Sequence, residues 1–152
     1  MTIMDSNLVF QSATNCFASG ADVNSTNIID LAPHLAANAA WAADEGPQQP
    51  RYLVTNITTA VTGGTSMQVV LQTDSNTNFA TVKTEPVMSF AVPVASLTAG
   101  AVIILPLPIG MKRYLRVAYR NVGANAAGAC TTFIAETVQD APIQTIGGFT
   151  VA

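Results

Sequence analysis

The sequence predicts an all-β protein: a jelly roll or β-sandwich of about eight strands, with a short Ala-rich helix or loop and extended termini. Three observations predict it. From Arg51 onward, short runs of β-branched and apolar residues follow one another at regular spacing. Gly, Pro, Asn and Asp turn signals separate the runs. Nothing alternates strand with helix as a parallel α/β sheet requires.

The elements follow in order. Residues 1–7 read as an arm that orders only by docking on something. Residues 8–10 and 15–18 are short strand candidates, and Gly20-Ala21-Asp22 marks a turn. Residues 27–31 carry Ile28, Ile29 and Leu31 and read as a strand. The segment 33–45 is different. It is Ala-rich, Pro33 suits a first helical position behind Asp30, and Leu35 and Trp41 are its large apolar residues. Isolated helices this short are marginal, so short helix and ordered loop both stay open. Gly46-Pro47 to Pro50 ends it.

Residues 52–58 are a strand, and Thr62-Gly63-Gly64-Thr65 is a turn. Met67, Val69 and Leu71 alternate with Ser66, Gln68 and Gln72, the signature of a half-buried strand. The run 74–78 is a polar turn. Residues 80–84 and 87–92 read as two shorter strands broken at Glu85-Pro86, and 95–100 as a loop.

The stretch VIILPLPIGMKRYLRVAYRNV, residues 102–122, organises the rest. Its first run, 102–105, is β-branched and suits a strand buried on both faces. Pro106 and Pro108 lack an N–H, so this segment cannot donate to two neighbours mid-sheet. Gly110 permits a tight reversal. The chain returns through 114–122, where Leu115, Val117 and Tyr119 share one face. Lys112, Tyr114, Arg116, Ala118 and Arg120 share the other. Lys112, Arg113, Arg116 and Arg120 are four of the six basic residues in the chain. That concentration reads either as a solvated outer face or as a contact stripe for an acidic protein partner. The run 123–128 is small and flexible, 129–138 is the last strong strand, and 140–152 reads as an extended tail.

At 152 residues the chain is one domain, 1–152, long enough to bury a full core. Only 10% of it is charged, against about 25% in typical soluble proteins. Hydrophobic residues make up 49% and mean hydropathy is +0.37, yet no apolar run approaches a membrane helix. A surface so poor in charge reads as one meant to be covered by partners. The net charge of −3 argues against nucleic-acid binding. The stretch MTIMDSNLVF has no basic segment leading into an apolar one, so it is not read as a secretory signal. The sequons Asn24-Ser25-Thr26 and Asn56-Ile57-Thr58 then carry little meaning. Cys16 and Cys130 are too few for a zinc site. Two buried thiols is the favoured reading, and one disulfide stays open.

No catalytic constellation emerges. His34 is the sole histidine, which excludes a multi-histidine metal site. Ser25, Asp30 and His34 make a triad only by free choice among many serines, and Cys16 with His34 has no better warrant. Asp44, Glu45 and Asp74 lack the spacing of a calcium loop. Trp41 and Tyr52 read as packing residues before they read as a sugar platform. No cofactor is expected.

Five segments carry a resemblance. They are Asn27-Ile28-Ile29-Asp30-Leu31; Pro50-Arg51-Tyr52-Leu53-Val54; Val69-Val70-Leu71-Gln72-Thr73-Asp74; and Leu97-Thr98-Ala99-Gly100. The last is Leu105-Pro106-Leu107-Pro108-Ile109-Gly110-Met111-Lys112-Arg113-Tyr114-Leu115-Arg116. In this order and spacing, the chain resembles the small capsid cement (decoration) proteins of tailed bacteriophages, of the type found in the Bordetella phage. The Ala-rich 33–43 segment is longer than the family leads one to expect.

The resemblance implies a jelly-roll protein made in the bacterial host cytoplasm and carried on the outer surface of an icosahedral head. It implies two partners: the major capsid protein, and the protein itself as a dimer or trimer. It brings no catalytic residues, no nucleic acid and no membrane. The contacts expected are Lys112, Arg113, Arg116 and Arg120 on the stripe, Leu8 and Phe10 by the arm, and Phe149 in the tail. The principal alternative is a carbohydrate- or receptor-binding jelly-roll module of a virion. A β-sandwich hydrolase and a capsid shell protein are further rivals.

Overall fold

The computed structural model describes residues 8–17, 21–31, 51–80, 83–108 and 111–135. The expectations for the arm, the Ala-rich segment and the tail, with His34, Trp41, Gly110 and Phe149, lie outside these residues. The described residues form ten strands: β1 (Val9–Asn15), β2 (Val23–Asn24), β3 (Ile29–Asp30), β4 (Tyr52–Gly63), β5 (Ser66–Asp74), β6 (Thr84–Met88), β7 (Val92–Pro93), β8 (Val102–Pro106), β9 (Tyr114–Val122) and β10 (Asn125–Ala135). A 3-10 turn, Val94–Ser96, follows β7.

The strands form two antiparallel sheets, as the all-β reading requires. The first runs β1-β10-β4-β8. The second runs β2-β9-β5-β6, with β3 also on β9 and β7 also on β5. The chain switches sheet between β1 and β2, β3 and β4, β4 and β5, β7 and β8, β8 and β9, and β9 and β10, the habit of a jelly roll.

The core lies between the sheets and follows strand parity. From the first sheet come Phe10, Leu53, Ile57, Cys130 and Ile134; from the second come Met67, Val69, Leu71, Leu115, Val117 and Tyr119. The alternation read at Met67–Val69–Leu71 and Leu115–Val117–Tyr119 is thus the core face, all six residues fully buried. One polar chain crosses this core. The Tyr119 hydroxyl donates to Thr132 Oγ1 at 2.7 Å, and Thr132 lies 3.0 Å from Thr55 Oγ1. The turn at Ser25 closes one side of the sandwich: Ser25 N donates to Val117 O on β9, and Asn27 N to Phe10 O on β1.

Several boundaries differ from the sequence reading. The two short candidates at 8–10 and 15–18 are replaced by one strand, β1, which bulges twice against β10 and holds Ala13 at φ 44°. Strand 27–31 shrinks to two residues. Glu85-Pro86 does not break a strand but sits inside β6. That is tolerated because β6 ends its sheet, where a missing N–H costs no ladder bond. The predicted strand 87–92 is instead interrupted at 89–91. Residues 125–128, read as a flexible run, open β10.

The largest correction concerns 102–105. β8 is not buried on both faces. It pairs only with β4, and Val102 and Ile104 turn outward, 51% and 36% exposed. Ile103 and Leu105 face the core. The prolines that follow explain this, since they confine the segment to a sheet edge. β8 and β9 belong to different sheets, so the two strands are not paired as a hairpin.

Candidate protein-interaction face

The outer face of β9 carries the predicted stripe, and neighbouring strands supply what lies beside it. Register sets Arg116 opposite Gln72, Ala118 opposite Val70 and Arg120 opposite Gln68 on β5. Val70 in turn faces Met88 on β6. The small apolar centre, Ala118 and Val70, is fully buried.

The cations are engaged within the chain. Arg120 Nη2 donates to both oxygens of Glu85 at 2.7 Å, and its Nε lies 3.6 Å from Asp22 Oδ2. Gln72 Nε2 donates to Glu85 Oε1 at 3.0 Å, while Gln72 Oε1 accepts from Arg116 Nε and Nη2 at 3.1 and 2.7 Å. The Arg116 guanidinium stacks 4.3 Å from the Phe79 ring centroid. Burial works to raise the Glu85 carboxyl. Hydrogen bonds from Arg120 and Gln72, with the charges of Arg120 and Lys83, outweigh it and hold the group below its ordinary value. Burial lowers the Arg116 guanidinium, opposed by the Asp74 charge.

Arg113 lies off this face. Its Nε and Nη2 form a fork to Asp30 on β3, both bonds 2.9 Å, over the Tyr114 ring. The hydrogen bond to Asp30 raises its pKa. Lys112 is fastened through its backbone, its N–H donating to Thr73 Oγ1 at 2.7 Å.

The predicted contacts in the first strand separate. Leu8 packs half-buried against the core. Phe10 is a correction. It is fully buried between the sheets, because strand parity turns it inward, and no partner reaches it in the folded protein.

The structure adds residues that the sequence reading passed over. Met88 is 49% exposed, Val122 56% and Phe90 93%. Phe90 is not a loose loop residue. Its neighbour Ser89 is buried, accepts from Val69 N at 2.9 Å and donates to the Phe90 carbonyl at 2.8 Å. Ser89 N also donates to Val69 O at 2.8 Å. These bonds fix the backbone that presents the ring. Phe90 was hidden because a phenylalanine in a run of alternating residues reads as core by default.

The first sheet has its own outer apolar row. Val9, Phe133, Val54 and Ile104 lie in register across β1, β10, β4 and β8, beside Tyr52. Tyr52 belongs to this packing and is half-buried.

Among the described residues, no three His, Cys, Asp or Glu side chains gather as a metal site. Ser25 is spent on the fold: its hydroxyl donates to Asn27 O and accepts from Val117 N. Among the described residues, no helix is long and apolar enough to cross a membrane.

Fold and face together define a two-sheet antiparallel β-sandwich whose stripe arginines are engaged within the chain and which exposes several large apolar side chains, Met88, Phe90 and Val122 among them. The Bbp16 family matches residues 12–134, from within β1 to the penultimate residue of β10, and the chain belongs to that family, one of Bordetella phage proteins. No curated protein matches the sequence.

Proposed function

We propose that the protein is a capsid cement protein, binding the outer surface of an icosahedral phage head and bracing contacts between major capsid protein subunits. The observation that carries this reading is Phe90, an exposed aromatic on a hydrogen-bonded backbone, beside Met88 and a neutralised Arg–Glu network. Aromatic, Met and Arg side chains are the types enriched where proteins bind proteins. An anchor whose backbone is already fixed loses little freedom on docking. Family membership supplies the phage context, and the segments quoted above supply the resemblance to cement proteins.

The mechanism is multivalent. A modest patch repeated by symmetry over the shell gives avidity beyond that of any single contact. In this reading the protein self-associates, and residues 1–7 and 140–152, with Phe149, extend the contact area. Arg116 and Arg120 act less as bait for an acidic partner than as the frame of the face.

The test is copy number per purified virion, measured by quantitative mass spectrometry against the major capsid protein. A ratio comparable to the capsid protein supports the cement role. A few copies per particle supports the receptor- or carbohydrate-binding alternative, and absence from the particle ends both.

A further inference from the structure

Cys16 and Cys130 lie against one another in the core, both fully buried and both free thiols. Cys16 follows the end of β1, the first strand of the first sheet; Cys130 is mid-way along β10. The ladder sets Cys130 opposite Thr14, and Cys16 lies two residues further on, so the thiols meet diagonally across the β1–β10 pair on its core side. Both cysteines are held from several sides. Asn121 Nδ2 on the opposite sheet donates to Cys16 O at 3.3 Å. Gln11 Nε2 lies 3.6 Å from Cys130 Sγ and donates to Thr14 O at 2.9 Å.

The strand they would fasten is an irregularly paired edge of its sheet. β1 pairs only with β10, and that ladder slips between Val9 and Gln11 and again between Gln11 and Thr14. Ala13 sits at φ 44°, a conformation that costs a non-glycine residue about 1 kcal/mol or more.

We propose that Cys16 and Cys130 are an oxidative modification site: in an oxidising solution they close to an intramolecular disulfide that staples β1 to β10. The oxidant is a small-molecule disulfide. A Cys thiolate attacks one of its sulfurs and expels a thiolate; the second Cys then attacks the mixed disulfide and expels the other. Two protein thiols lose two electrons and two protons, and the small disulfide is reduced to two thiols. Both thiols are fully buried, out of reach of a small-molecule disulfide, so closure in the folded protein waits on opening of the irregular β1 end. A chain made in a reducing cytosol therefore folds first and is stapled afterwards.

The test uses the full chain. Reduced protein is unfolded, then refolded in a buffer of reduced and oxidised glutathione, so that burial does not block the exchange. A parallel sample stays folded in oxidised glutathione. The refolded product is expected to be a monomer-mass species about 2 Da lighter, with no free thiol and no bound glutathione. Its melting temperature should rise by on the order of 10 °C over the reduced protein, because the bridge closes a loop of more than about 100 residues. The folded sample should reach the same state more slowly. A folded product that keeps both thiols, carries glutathione or links chains overturns the proposal. So does a bridge that lowers the melting temperature, since the site would then be strained rather than built. Cys16→Ser should leave one free thiol and abolish the shift.

Discussion

The backbones of Gly123 and Gly64 touch: a Cβ on Gly123 would lie 3.0 Å from the Gly64 Cα and 3.1 Å from Thr65 N. This is where the fold crosses itself. β4 passes to β5 through Gly63 and Gly64, β9 passes to β10 through Gly123, and the two sheet-to-sheet crossings run side by side. Thr65 N donates to Val122 O at 2.7 Å and locks them together. All three glycines have positive φ, so the contact is possible only where no side chain intervenes.

Gly123→Ala should therefore destabilise the protein by about 2–4 kcal/mol, combining the left-handed backbone cost with a clash against backbone that cannot step aside. Gly100 provides the control. Its φ is nearly the same, +89° against +91°, but nothing lies within 4 Å of its Cβ position. Gly100→Ala should cost only the backbone term, about 1 kcal/mol. Urea midpoints of the two variants measure the difference, and equal losses would show that crowding at the crossing contributes nothing.

Tyr119→Phe tests the polar chain through the core. Burial pushes the Tyr119 hydroxyl far above its ordinary pKa, so it stays a donor at all working pH values. Removing it leaves Thr132 still in contact with Thr55, so no orphaned group is created. The expected loss is about 1 kcal/mol, the net worth of one hydrogen bond. Denaturant unfolding measures it. A loss near about 3 kcal/mol would mean that Thr132 cannot be satisfied by Thr55 alone.

The parity of the central strand was legible in the sequence because alternate residues must face opposite ways. Leu115, Val117 and Tyr119 therefore fell into the core as read. Pro106 announced an edge strand, though the run 102–105 before it concealed that edge, since β-branched residues suit exposed and buried strands alike. What stayed hidden was non-local. Nothing near Arg120 points to Glu85 or Asp22, and nothing near Arg113 points to Asp30; the sheet order brings them together. Phe10 was assigned to a contact, and Phe90 was passed over inside the strand read at 87–92. The structure buries Phe10, which faces inward on β1, and exposes Phe90, because the strand stops at Met88 and the buried Ser89 leaves the next residue pointing out.

Glu85 makes stability sensitive to acid. Its folded pKa lies below the ordinary value of 4.5, so the unfolded state binds the proton more readily. The stabilisation is then fully present above about pH 4.5 and is lost as pH falls through the depressed folded value. Glu85→Gln should lower stability at pH 7 by about 1 kcal/mol and flatten the acid side of the profile. Urea midpoints from pH 3 to pH 7 on both proteins check this. Parallel profiles would mean that another carboxylate carries the acid dependence.

Phe90 and Arg120 should separate binding from folding. Phe90→Ala removes a side chain that is 93% exposed, so stability should stay within about 0.5 kcal/mol. If the ring is an anchor for the capsid shell, its loss should cost about 2 kcal/mol of binding, roughly 30-fold in affinity for purified shells lacking the protein. Arg120→Glu behaves in the opposite way. It sets a new carboxylate against Glu85 and Asp22, so the first effect is on the fold, and a fall in the urea midpoint should precede any loss of binding. Arg116→Glu likewise forfeits the Gln72 bonds and the Phe79 stacking. Co-sedimentation with shells, scored beside unfolding midpoints, distinguishes the cases. Full binding by Phe90→Ala, with binding lost in a stably folded Arg120→Glu, would return the contact to the basic stripe and remove Phe90 from it.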